Sequence, residues 1–180
     1  MDRRDFLKKS TVLGLSLASP ATRSLELKTM TEEITSMSAS SLSGAIQRRE
    51  VACEEVMQAY LQRIHRYNPV YNAIVSLVDD ADLLGQARLA DKALQKGEYW
   101  GWMHGMPHAV KDLADARGLE SSYGSPIFAG TIAGQDSLPI ARIRAQGAIL
   151  SAKPTARSSA WALKPTTRYL ALRAMPTTPH

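Results

Sequence analysis

At 180 residues the chain is long enough for one ordinary domain. Its content of 44% hydrophobic and 22% charged residues is that of a globular protein, not a disordered one, and no apolar run approaches the roughly 20 residues that span a bilayer. The net charge of +5 sits at the two ends: residues 29–150 hold 11 basic and 14 acidic side chains, a net of −3. Basic residues split between distant ends form no stripe that could track phosphates, so nucleic acid is not an expected partner.

Taken in chain order, the first 28 residues read as an address. Arg3-Arg4-Asp5-Phe6-Leu7-Lys8 has the form of a twin-arginine export signal. The weakly apolar Thr11–Ala18 stretch and small residues at Ser19-Pro20-Ala21 follow it. A charged start, a short apolar core and small residues mark a removable leader, too short to be a permanent membrane anchor. The expectation is export by the twin-arginine machinery to the bacterial periplasm, with the leader excluded from the fold.

The body, residues 29–150, alternates helical and strand patterns. Ser40-Ser41 precedes Leu42, Ala45 and Ile46, a short Ser-capped helix. From Ala52 to Tyr67, Val56, Ala59, Tyr60, Ile64 and Tyr67 recur at three- and four-residue steps. Glu54 and Glu55 suit the start of this helix and Arg63 and Arg66 its end, and Asn68-Pro69 is expected to stop it. The lone Cys53 allows no internal disulfide and reads as a small packing residue of the same helix. Ala73–Val78 is a strand candidate, and Asp79 or Asp80 then caps a helix over Ala81–Lys96 that closes at Gly97. Capping accounts for the acids Asp79, Asp80 and Asp82, so neither a metal nor any other cofactor is expected. Met106–Val110 reads as a buried strand ending at Lys111-Asp112; a helix opened by Asp136 runs to Gly147, and Ala148-Ile149-Leu150 begins another strand. Strands separated by helices predict an α/β fold.

A lysine closing an apolar strand is ordinarily a solvated strand end. Around Lys111, however, the string His104-Gly105-Met106-Pro107-His108-Ala109-Val110-Lys111-Asp112-Leu113 resembles the amidase-signature family, in which H-G-V-P-x-A-V-K-D is typical. Gly118-Leu119, Tyr123-Gly124-Ser125-Pro126, Asp136-Ser137 and Ala141–Ala148 keep pace with it. The resemblance implies a mixed β-sheet core covered by helices and hydrolysis of a small-molecule amide by a Ser–cis-Ser–Lys triad, with Lys111 as the lysine. To accept a proton that lysine must be neutral, which asks for a buried surrounding, and backbone N–H groups would hold the oxyanion. His108 is read as a packing or strand-edge residue; His65 and His104 have no partner pattern.

The family's serines lie in a G-G-S-S-G-G stretch and a further serine segment, and neither occurs in these 180 residues. Ser158-Ser159 lacks the flanking glycines. After Leu150 the family would continue I-G-K-T-N; the chain instead reads Ser151-Ala152-Lys153-Pro154-Thr155, with Lys153 near the family's lysine, and turns basic and acid-free. Read one frame over, Ser151–Pro154 permits G-K-T, and Leu163–His180 permits an N-P-x-x-G-T and N-x-Y-D continuation. The expectations are an amidase domain truncated after Leu150, a disordered out-of-frame tail over 151–180, and an inactive chain. The alternative is an exported, non-catalytic binding module that keeps the N-terminal layer of the fold.

Overall fold

The structure, a computed structural model, describes residues 30–154. The expected export signal and all of the expected tail beyond Pro154 lie outside the described residues. Helical residues 30–36 lead into α1 (Ala39–Gln47), α2 (Cys53–Tyr71), β1 (Ile74–Leu77), α3 (Asp80–Gln95) and β2 (Pro107–Ala109). A 3-10 turn (Pro126–Phe128), α4 (Leu138–Ala145) and β3 (Ile149–Pro154) complete the order. β3 is central, antiparallel to β1 and parallel to β2, so the sheet is mixed. The fold is α/β, as expected.

The helix boundaries show where local chemistry and tertiary contacts part company. α1 is capped by Ser38, two residues earlier than expected, whose Oγ accepts from the Ser41 N–H. Asn68-Pro69 does not stop α2. Pro69 removes one backbone donor, but the Asn68 side chain bonds both the N–H and the C=O of Ile74, at 2.8 and 2.9 Å, and so ties this helix end to β1. The stop comes at Asn72, in the left-handed region at φ 46°. With the helix longer, Arg63 and Arg66 stand outside its last turn. They flank the Tyr67 ring at 5.6 and 5.2 Å instead. The N-terminus of α2 is capped from α3, where the Asp91 carboxylate accepts from the N–H groups of Cys53 and Glu54 at 2.8 and 3.1 Å. α3 itself starts on Asp79, whose carboxylate accepts from the Ala81 N–H, and Gly97 follows its last turn at φ 84°.

Apolar side chains on α1, α2 and α3 pack together with Met106 and Ile149 against one face of the sheet. The other face carries a smaller cluster of Val110, Ala116, Ile140 and Leu150. Consecutive residues Ile149 and Leu150 thus serve opposite faces, as strand geometry requires. The expected division after Leu150 falls inside β3, since Ser151, Ala152 and Lys153 are buried in this strand. Val78 donates to the Ser151 carbonyl and Val110 to that of Ala152, at 3.0 and 2.8 Å. Pairing with β2 steps from His108↔Leu150 to Ala109↔Ala152, leaving Ser151 as an extra residue. Such a bulge resets the alternation. Lys153 consequently joins the Leu150 face, not the helix-covered one.

Candidate active site at the end of β2

The approach to β2 is built on two tight features. His104 is buried; its Nδ1 accepts from the Trp100 N–H at 3.1 Å, so its Nε2 carries the proton donated to the Ala90 carbonyl at 2.9 Å. This histidine, which had no partner pattern in the sequence, is a neutral link between the Trp100 loop and α3. Gly105 follows at φ 70°, packed against Cys53 and Ala90 so closely that any Cβ would collide with the Cys53 side chain. Pro107, His108 and Ala109 then pair with β3. His108 is half-buried, and that burial pushes its imidazole below the usual range. His65 lies elsewhere, in an exposed 2.8 Å contact with Asp80.

Lys111 leaves the C-terminal end of β2 as an exposed side chain, and among the described residues its amine has no hydrogen-bond partner. The burial expected around it is therefore not supplied by residues 30–154. Its backbone is held in a turn, with its carbonyl accepting from the Ala114 N–H at 2.9 Å. The next residue, Asp112, is 3% exposed. Its carboxylate accepts from the Ser122 N–H and hydroxyl at 3.0 and 2.7 Å and from the Gly124 N–H at 2.9 Å. Positive φ at Tyr123 and Gly124, 52° and 70°, curls those donors around the carboxylate. The Tyr123 hydroxyl donates to Asp115 at 2.6 Å, a bond that pushes the phenol up.

The buried lysine of this region is Lys153. Its Nζ lies 2.6 Å from the Ser121 Oγ and 3.3 Å from the Ala114 carbonyl, both hydrogen bonds, and 3.9 Å from Asp112 Oδ1. Both side chains of the ion pair are almost wholly out of water, at 1% and 5% exposure. Burial lowers the Lys153 amine, outweighing the opposing pull of Asp112, Asp115 and Glu120. Taken alone, a serine hydroxyl beside a lysine held toward neutrality resembles a nucleophile and its base. At 1% exposure for both Ser121 and Lys153, no substrate can reach them, so the pair is part of the scaffold.

The strand before Lys111 was legible in the sequence, but the Lys153–Asp112–Ser121 network was not. The available signals were a lysine directly after the small and apolar run Ile149–Ala152 and its place near the lysine of the family's I-G-K-T-N stretch. Asp136, expected to open α4, instead accepts from the Arg117 N–H and from Nε and Nη2 of the Arg144 guanidinium, and Arg144 holds its carboxyl below the usual range. Ser137 is the N-cap residue of α4.

Comparison with known proteins bears on this arrangement. The amidase family's sequence profile matches residues 55–173, continuing past Leu150, where the motif resemblance was expected to end. A glutamyl-tRNA(Gln) amidotransferase polypeptide of Salinispora arenicola is 36% identical over 121 residues, covering 67% of this chain and 24% of that protein. A putative amidase, AmiD, of Mycobacterium tuberculosis is 30% identical over 122 residues, 68% of this chain and 26% of its own length. Among solved structures, the peptide amidase of Stenotrophomonas maltophilia superposes with a TM-score of 0.62 at 28% identity, over 68% of this chain and 25% of that one. The chain therefore spans about a quarter of the length of the relatives it matches. With its profile match covering well over half of the sequence, and the sheet and helices of its solved relatives, this chain belongs to the amidase family.

Proposed function

We propose that this chain is the lysine-bearing portion of an amide hydrolase that cleaves the C–N bond of a small carboxylic amide. In this reading Lys111 is the proton acceptor of a Ser–cis-Ser–Lys triad. The observation that carries it is the placement of Lys111 two residues beyond the C-terminal end of β2, a strand parallel to its neighbour, on a turn with its amine exposed. The ends of parallel strands are where α/β folds present reactive groups. A base without a structural partner can accept a proton from a serine hydroxyl. The burial needed to keep it neutral, and both serines, would come from the three quarters of the relatives' length that the chain does not span. The 180-residue chain alone is accordingly expected to be inactive, and Arg3-Arg4-Asp5-Phe6-Leu7-Lys8 extends the proposal to export into the periplasm.

The test is complementation. The chain is combined with the remaining part of a related amidase, expressed without its own first quarter, and hydrolysis of simple primary amides is followed by ammonia release. Turnover should need both parts and should vanish with Lys111→Ala. Undiminished turnover with Lys111→Ala removes the triad assignment.

A further inference from the structure

The geometry points to Lys153 as the positioning residue for Lys111, a role that rests on the reading of Lys111 just given. The turn from which Lys111 projects is closed by one backbone bond, from the Ala114 N–H to the Lys111 carbonyl. Lys153 grips that turn at two places. Its ammonium donates to the Ala114 carbonyl at 3.3 Å and faces the Asp112 carboxylate at 3.9 Å. A third bond, to the Ser121 hydroxyl at 2.6 Å, reaches the far side of the same loop. Asp112 in turn gathers the Ser122 and Gly124 N–H groups. The loop from 111 to 124 is thereby closed around one cation.

That cation stands on the central strand, and the Ser151 bulge is what turns it toward the loop. β3 is bonded to β1 on one side and to β2 on the other. Lys153 thus refers the position of Lys111 to the most firmly held strand of the sheet. A turn after a strand three residues long, paired on one side only among the described residues, would otherwise be free to fray. The charged groups bearing on the ammonium all belong to the loop it holds: Asp112, Asp115 and Glu120. Lys153 touches no substrate in this arrangement, because it is 1% exposed.

The experiment uses the full 180-residue chain, isotope-labelled, with amide exchange and carbonyl shifts read by NMR. In Lys153→Met, which keeps the stem volume and removes the charge, the amides of Ala114, Ser122 and Gly124 should exchange at least about tenfold faster, while those of Ala87 and Ala90 on α3 change less. In the unsubstituted chain the Ala114 carbonyl carbon should follow a titration step below pH 10.5 that is absent from Lys153→Met, a signature that simple space-filling by the side chain would not produce. Unchanged exchange of the three amides, or a carbonyl titration identical in both proteins, overturns the proposal. Should Lys153→Met fail to fold, Ser121→Ala removes the shortest of the three contacts and leaves the lysine in place. Faster exchange of the same three amides then supports the clamp, and unchanged exchange overturns it. None of these readouts requires turnover. Loss of the Lys111 assignment in the complementation assay would leave the clamp standing, and failure of the clamp would leave Lys111 assigned.

Discussion

Gly105→Ala should be among the most damaging small substitutions in the chain. Gly105 has φ 70°, a conformation that costs a residue with a side chain about 1 kcal/mol. The new methyl group would lie 2.7 Å from the Cys53 Cβ and 3.3 Å from the Ala90 Cβ, and would overlap the Cys53 sulfur. Both neighbours are fully buried on packed helices and cannot swing away. Forcing a methyl into such a core costs about 1–3 kcal/mol. The expected loss is therefore about 2–4 kcal/mol, read from urea unfolding of the full chain by far-UV circular dichroism. Adding Cys53→Ala removes the sulfur from the collision but not the Cβ. It should recover part of the loss, giving a coupling of about 1 kcal/mol between the two sites. A loss below about 0.5 kcal/mol, or strict additivity of the two changes, would refute the steric account. Because Gly105 leads directly into β2, a chain that folds despite the substitution should also show a displaced Lys111 turn, visible as changed amide shifts at Val110 and Ala114.

Further outcomes follow from the same contacts. Asp91→Ala removes the acceptor for two N–H groups at the start of α2 and should cost about 1–2 kcal/mol in the same unfolding assay; an unchanged midpoint would remove Asp91 as a cap. The Cys53 thiol is fully buried, and burial pushes it far above its ordinary value. A maleimide should leave it untouched in the native chain and label it fully in urea, whereas rapid native labelling would contradict its place in the core. The lowered Lys153 amine means that the unfolded chain binds the extra proton between its folded midpoint and 10.5, so its contribution to stability rises with pH across that range. Cys53 works oppositely above about pH 9, since the folded state keeps its proton. The stability difference between the unsubstituted chain and Lys153→Met is therefore the quantity to follow, and it should grow in favour of the unsubstituted chain as pH rises toward 10.5. Asp136, held low by Arg144, contributes stability at neutral pH that is lost as pH falls below its ordinary 3.8. Asp136→Asn should flatten that acid limb.

Much of the architecture was legible because it is set locally. Periodicity located α2, an Asp79 or Asp80 cap and Gly97 bounded α3, and the apolar run before Lys111 marked β2. What was not legible depends on partners distant in sequence. The cap of α2 is a carboxylate on α3, and the persistence of α2 through Pro69 depends on side-chain bonds to β1. The role of Lys153 depends on a one-residue bulge that no local pattern announces. Lys111 was found through its motif, not its surroundings, and residues 30–154 leave it exposed where burial was expected. Ser151–Pro154, read as out of frame because the shifted frame permits a family-like continuation, completes the central strand β3. The codons decide the reading frame directly: any codon incompatible with the shifted continuation removes that hypothesis.

The central claim is that Lys111 carries the chemistry of an amide hydrolase. It is tested most directly by measuring ammonia release from a primary amide in the complemented enzyme, with Lys111 intact and with Lys111→Ala, alongside Lys153→Met. The account predicts turnover with Lys111, none above background with Lys111→Ala, and reduced turnover with Lys153→Met. Equal turnover with and without the Lys111 amine would contradict it.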